Sequence, residues 1–230
     1  MARLMRPWLI YAALSAAAAV AGAALAWTPL AGRLDNILYD SFFRLAPPAA
    51  AARASAIVGI DERTLKAHGG LRNLRPLLAR VLRRLASADP AAIGIDLTLT
   101  DEGTEAEDSA LAAALGDLRR VVMASEMLPD GTAWQDPAPG LRAKAAGFGH
   151  VGALPGPGDD VNRRVPLERV AGRTRRWALS LEVWRQKLGE PEILSTPEEL
   201  EAGQWRIESR WDEGRPMWIR YRPRESMVQV

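Results

Sequence analysis

No cysteine occurs in the 230 residues, which removes disulfide staples, thiolate nucleophiles and thiolate-held metals from the chemistry open to the chain. Histidine is nearly as scarce. His68 and His150 stand alone, without a His-x-x-x-His spacing or a triad pattern, so neither is placed for zinc binding or nucleophilic catalysis. An excess of one charge is missing too: removing Arg3, Arg6 and Arg33 from the 30 basic residues leaves 27 against 28 acidic ones from Leu34 onward. A body so balanced has no basic stripe, and the pI of 9.3 makes no case for a nucleic-acid partner. No internal repeat is visible, and nothing in the chain calls for a cofactor. What is present, 48% hydrophobic and 25% charged residues, excludes disorder and suits one globular domain with a short accessory segment.

Charge is absent altogether from the 26 residues between Arg6 and Arg33. That run exceeds the roughly 20 apolar residues a helix needs to cross a bilayer. Trp8 and Trp27 are 19 residues apart, about 29 Å along a helix and close to the ~30 Å hydrocarbon thickness, which suits an aromatic belt. Arg3, Arg6 and the amino terminus place the start in the cytoplasm by the positive-inside rule, so everything after Arg33 is exported. The expected location is a bacterial inner membrane crossed once, with the main domain on the extracytoplasmic side. Ala24-Leu25-Ala26 also has the small-x-small form of a signal-peptidase site, so a membrane anchor and a cleaved signal both stand.

Leu34, Ile37, Leu38, Phe42 and Leu45 recur at three- and four-residue spacing and predict an amphipathic helix continuing out of the membrane. Pro47, Pro48 and the alanines up to position 54 predict a linker. The expected organisation is thus 1–33 as stub and membrane helix, 34–54 as juxtamembrane helix and linker, and 55–230 as the body. Residues 55–60 and 91–95 are short apolar runs flanking a helical pattern at Leu74, Leu77, Leu78, Val81, Leu82 and Leu85. This is the order of a βαβ unit. A helix over 105–115 and a strand over 120–124 extend it. The predicted fold class is α/β, a mixed but largely parallel sheet with helices on both faces. Beyond Met127 the pattern weakens, with strands expected at 149–154, 165–170, 205–208 and 217–221 and a helix over 177–188. The late strands are expected to be antiparallel.

Asp61 follows the first apolar run and Asp96 the second, so on neighbouring parallel strands both would stand at the carboxyl edge, where ligands of open α/β sheets collect. Two acids about 4.8 Å apart could share a cation or a ligand, whereas separately they would cap a helical turn and a loop. Gly147-Phe148-Gly149-His150-Val151-Gly152 has the spacing of a dinucleotide fingerprint, but Pro155 and Pro157 prevent a helix from opening there. Asp159-Asp160-Val161-Asn162 is read as a polar turn in preference to a calcium cup.

Residues 34–44, with Leu34-Asp35-Asn36-Ile37-Leu38-Tyr39-Asp40, together with Ile57-Val58-Gly59-Ile60-Asp61-Glu62 and Ala92-Ile93-Gly94-Ile95-Asp96, resemble the type-two CHASE domain of bacterial sensors. The glycine string at 147–152 and the acidic turn before Arg163-Arg164 are similar to that family as well. The resemblance implies an exported, non-catalytic sensory module with an unidentified small-molecule or protein ligand. It also implies further membrane helices and a cytoplasmic cyclase, histidine kinase or serine/threonine kinase output. The chain stops at Val230 without such an output or a second apolar span. A fragment or truncated frame is therefore expected, with the strand over 217–221 left at an open edge. Oligomeric state stays open, a homodimer included. The alternative function is an exported metal-dependent hydrolase built on Asp61 and Asp96.

Overall fold

Small and apolar residues, rich in alanine with its high helix propensity, form α1 (Pro7–Ala26), every residue of which is exposed. It is the one helix among the described residues long and apolar enough to cross a membrane. Pro29 cannot donate into a preceding turn, so the chain breaks at Trp27 and Thr28 and restarts with that proline at the first turn of α2 (Pro29–Leu45). The expected juxtamembrane helix is therefore a separate element, not a continuation of the first. Leu34, Ile37, Leu38, Phe42 and Leu45 lie exposed along it.

The computed structural model describes residues 7–46, 55–156 and 159–221, so the expected linker lies outside them except for Ala46. Two units divide the chain. One comprises 1–52, 155–163 and 219–230, and the other comprises 53–154 and 164–218. Seven α-helices lie among the described residues.

In the second unit come α3 (Glu62–Ala67), α4 (Leu74–Ala86), β1 (Ile93–Ile95), α5 (Glu105–Gly116) and β2 (Val121–Met127). A capping box starts α5: Thr104 Oγ1 accepts from the Glu107 amide at 3.3 Å, and the Glu107 carboxylate accepts from the Thr104 amide at 3.1 Å. After β3 (Trp134–Gln135) and α6 (Pro139–Arg142) comes β4 (Gly147–His150). β1 and β4 flank β2, both parallel to it, with Ile93 opposite Val121 and Ser125 opposite His150. β3 pairs antiparallel with the end of β2. Residues 55–60 form no strand, with Ile57 87% exposed; only Ile60 reaches the core. The sheet therefore begins at β1 and lacks the neighbour expected before it.

One face of this sheet packs Ile95, Val121 and Met123 against Leu78 and Leu82 of α4, Leu111 and Leu115 of α5, and Leu141 of α6. Each such leucine, removed from water, contributes about 1.5–3 kcal/mol. The other face is floored by glycine and covered by α7 (Leu179–Lys187). A Cβ on Gly94 would lie 2.7 Å from Val183 Cγ2, one on Gly147 would lie 2.6 Å from Glu182 Oε1, and one on Gly149 would overlap the Leu179 backbone.

The remaining strands are β5 (Leu154–Pro155), β6 (Asn162–Pro166), β7 (Glu168–Ala171), β8 (Thr174–Trp177), β9 (Ile193–Ser195), β10 (Glu199–Ala202), β11 (Trp205–Glu208) and β12 (Pro216–Trp218). β7–β8, β9–β10–β11 and β6–β12 pair antiparallel, which corrects the largely parallel sheet expected from the sequence. Connection length is the reason. Parallel pairing needs a crossover of a dozen or more residues, which the chain supplies before β2 and β4 but not between β7 and β8, β9 and β10, or β10 and β11. Gly172-Arg173 and Gly203-Gln204 are two-residue loops whose glycines take φ of +56° and +61°, the geometry of tight hairpins. Leu167, Ala178, Leu181 and Leu200 form a second, smaller core.

Gly149→Ala is expected to lower stability by about 1–3 kcal/mol or more in urea denaturation, because α7 must lift. Gly140→Ala, where a Cβ meets nothing within 4 Å, is expected to be near neutral. Equal effects would remove the close approach of α7 as the reason for the glycines.

Candidate functional site

Asp61 is a helix cap. Its carboxylate accepts from the Thr64 amide at 2.7 Å and from Thr64 Oγ1 at 2.6 Å, and these bonds hold its pKa below the usual carboxylate value. Asp96 is exposed just beyond β1. Residues 55–60 form no strand, so neighbouring strand ends do not bring the two acids together, and the premise of a shared site is missing. Among the described residues, no three of His, Asp and Glu are grouped to hold a metal.

The carboxyl edge of the parallel strands instead carries Ser125 on β2 and His150 on β4, opposite one another in register. Ser125 Oγ donates to Asp136 Oδ1 at 2.9 Å. Arg176 of β8 donates to both oxygens of Asp136, at 2.5 and 2.9 Å, and also to Ser125 Oγ. Such a two-pronged pair is among the stronger hydrogen-bonded contacts available. The guanidinium also lies 5.1 Å from the ring centres of both Trp134 and Phe148, an aromatic setting that favours a cation. Trp134 Nε1 donates to the Thr174 carbonyl at 2.9 Å and its ring stacks on His150, centroids 6.3 Å apart.

His150 is 2% exposed, and neither ring nitrogen has a hydrogen-bond partner among the described residues. Burial, helped by the charge of Arg169, pushes its pKa down to about 4. A serine, a histidine and an aspartate thus lie in one neighbourhood without the wiring of a hydrolytic triad: Ser125 bonds Asp136, and no bond joins it to His150 among the described residues. No local pattern announces this cluster, since Ser125 and Arg176 are 51 positions apart. The glycines of the 147–152 string carry α7 and, at Gly152, lie under Arg169. No helix opens after them, and β5 follows.

A second cluster belongs to the other unit. Asp159 Oδ1 accepts from the Val161 amide at 3.2 Å and Asp160 takes φ of +53°, so the residues after Asp159 form the polar turn the sequence suggests. Arg163, its side chain 5% exposed, donates to both oxygens of Asp40 on α2, at 2.9 and 2.7 Å, and to both of Asp159, at 3.0 and 2.8 Å. Hydrogen bonds from the guanidinium hold both carboxyls below their usual pKa and raise that of the arginine. The Arg163 carbonyl accepts from the Ile219 amide at 2.8 Å, the Tyr39 hydroxyl donates to the Ile219 carbonyl at 3.0 Å, and Tyr221 donates to the Asn162 carbonyl. The arginine therefore ties α2 to the turn before β6 and to the segment after β12.

Two measurements follow. His150 has a folded pKa below its unfolded value of about 6.5, so the unfolded chain binds the extra proton between pH 6.5 and 4. The stability this neutral imidazole carries is intact above about pH 6.5 and falls with pH by up to about 1.4 kcal/mol per unit. Urea midpoints of His150→Phe should lack that slope when compared with the parent; parallel curves would show that His150 is not the group responsible. In a double-mutant cycle, Asp40→Asn and Arg163→Gln are expected to couple by about 0.5–3 kcal/mol, and additive losses would refute the pair.

A sequence model described as the CHASE2 domain matches residues 15–230, nearly the whole chain. No curated protein and no solved structure matches it.

Proposed function

The chain belongs to the CHASE2 family, whose domains are extracytoplasmic sensory modules, and from that premise we propose that it is the sensing part of a bacterial membrane receptor. In this reading α1 anchors it in the inner membrane, the amino terminus is cytoplasmic, the body is exported, and the chain carries no catalysis of its own. The charge bias of Arg3, Arg6 and Arg33 around α1 supports the orientation.

The observation that carries the reading is the Arg163 clasp. The chain passes from one unit to the other after residues 52, 154, 163 and 218. Arg163 sits at one of these crossings and bonds the residue after another, while its guanidinium grips the helix that follows the membrane span. In this reading the signal travels along the covalent crossings, and the clasp supports it by holding two of the crossing segments to α2, the helix that follows the membrane span.

Reporter fusions test the orientation. Alkaline phosphatase fused after Leu45 or after Tyr221 is expected to be active, and green fluorescent protein at the same positions dark. Dark phosphatase with bright fluorescence would overturn the exported reading.

A further inference from the structure

The body holds an open cavity of about 360 Å³, lined by Met127, Glu168, Arg169, Val170, Trp211 and Gly214. Its size falls in the range of small-molecule sites. Met127, Val170 and the indole of Trp211 give it apolar walls; Val170 is 53% and Trp211 68% exposed, so both are open to a guest.

Its two ionisable side chains are not equivalent. Glu168 is committed: its side chain is buried, Oε2 accepts from Arg215 at 3.0 Å, and Oε1 lies 3.6 Å from Arg175. Arg169 is half-buried and donates to the Ala153 carbonyl at 3.1 Å, but makes no ion pair among the described residues. The acid is thus neutralised by arginines of its own, and Arg169, whose guanidinium lies beside Gly152 and Ala153, is the remaining charged residue of the lining.

We propose that this cavity binds a small organic carboxylate with an aromatic or branched apolar body, its carboxylate on Arg169 and its body against Met127, Val170 and Trp211. A guanidinium fork matches a carboxylate with two parallel hydrogen bonds. A single cation among apolar walls suits one delocalised negative charge on an apolar group better than an inorganic phosphate, which would leave those walls in water. The proposal rests on the sensory reading for its purpose but not for its test: reporter topology is independent of ligand binding, so either can fail alone.

The test uses the full chain in lipid nanodiscs, labelled with 5-fluorotryptophan, with the Trp211 resonance identified by its loss in Trp211→Phe. Phenylacetate is the probe. It is expected to shift the Trp211 signal saturably with a Kd of about 1–10 mM, the weak range for a ligand of about ten non-hydrogen atoms. Phenylacetamide, which lacks the charge, and inorganic phosphate, which lacks the apolar body, are expected to leave it in place. Arg169→Gln should weaken phenylacetate at least tenfold while the other tryptophan signals stay put. Arg169→Lys, which keeps the charge without the fork, should fall between, and serves if the glutamine variant does not fold. No shift with phenylacetate, equal binding of the amide, a response to phosphate alone, or full affinity in the arginine variants would each overturn the assignment.

Discussion

A guanidinium taken out of water must find its acceptors within the protein, because it cannot shed its charge and carries five donors in a fixed plane. Much of the chain beyond β4 is organised around that demand. Arg215, 1% exposed, donates to Glu168, to Ser195 Oγ and to the carbonyls of Thr196 and Ser209, fastening β7 to the end of β9 and to the loops beside it. Arg176 does the same for β8, the end of β2 and Asp136, and within the other unit Arg163 joins three separated segments. The second hydrophobic core is small, so short hairpins that bury little apolar surface are held largely by directional bonds.

The elements that could be read from the sequence are those whose period or caps are local. The leucines of α4, the Thr104-to-Glu107 box of α5 and the apolar run of β2 each declare themselves within a dozen residues. The run at 55–60 misled because four or five apolar residues look the same whether or not a partner strand exists, and here none does among the described residues. The antiparallel pairing of β7 with β8 and of β10 with β11 is signalled only by the two-residue Gly172-Arg173 and Gly203-Gln204 loops, a weaker cue than the apolar runs of the parallel strands. The 147–152 string shows how spacing alone deceives. Its glycines answer a need for close packing under α7, the same absence of a side chain that a dinucleotide would exploit.

The candidate sites were less legible than the fold. Asp61 was visible as an acid after an apolar run, and the capping alternative describes its actual bonds. Arg163 was visible only as part of a basic pair after an acidic turn; its partner Asp40 is 123 positions away, beyond any local pattern. His150 looks isolated in sequence and is isolated in its bonding too among the described residues, yet its neighbours Trp134, Ser125 and Arg176 come from three strands in two sheets that only the fold brings together.

Arg215 also takes φ of +59°, a left-handed conformation that costs a residue with a side chain roughly 1–2 kcal/mol. Backbone and side chain therefore ask this position for opposite residues: glycine would relax the turn and empty the space, while lysine would keep a charge but lose the planar fork that meets four acceptors. The locus behaves as a mechanical catch under slight spring load, kept shut by the bonds it makes. Without Arg215 the buried Glu168 carboxylate keeps only Arg175, 3.6 Å away, so releasing the catch strands a charge on the other side of it.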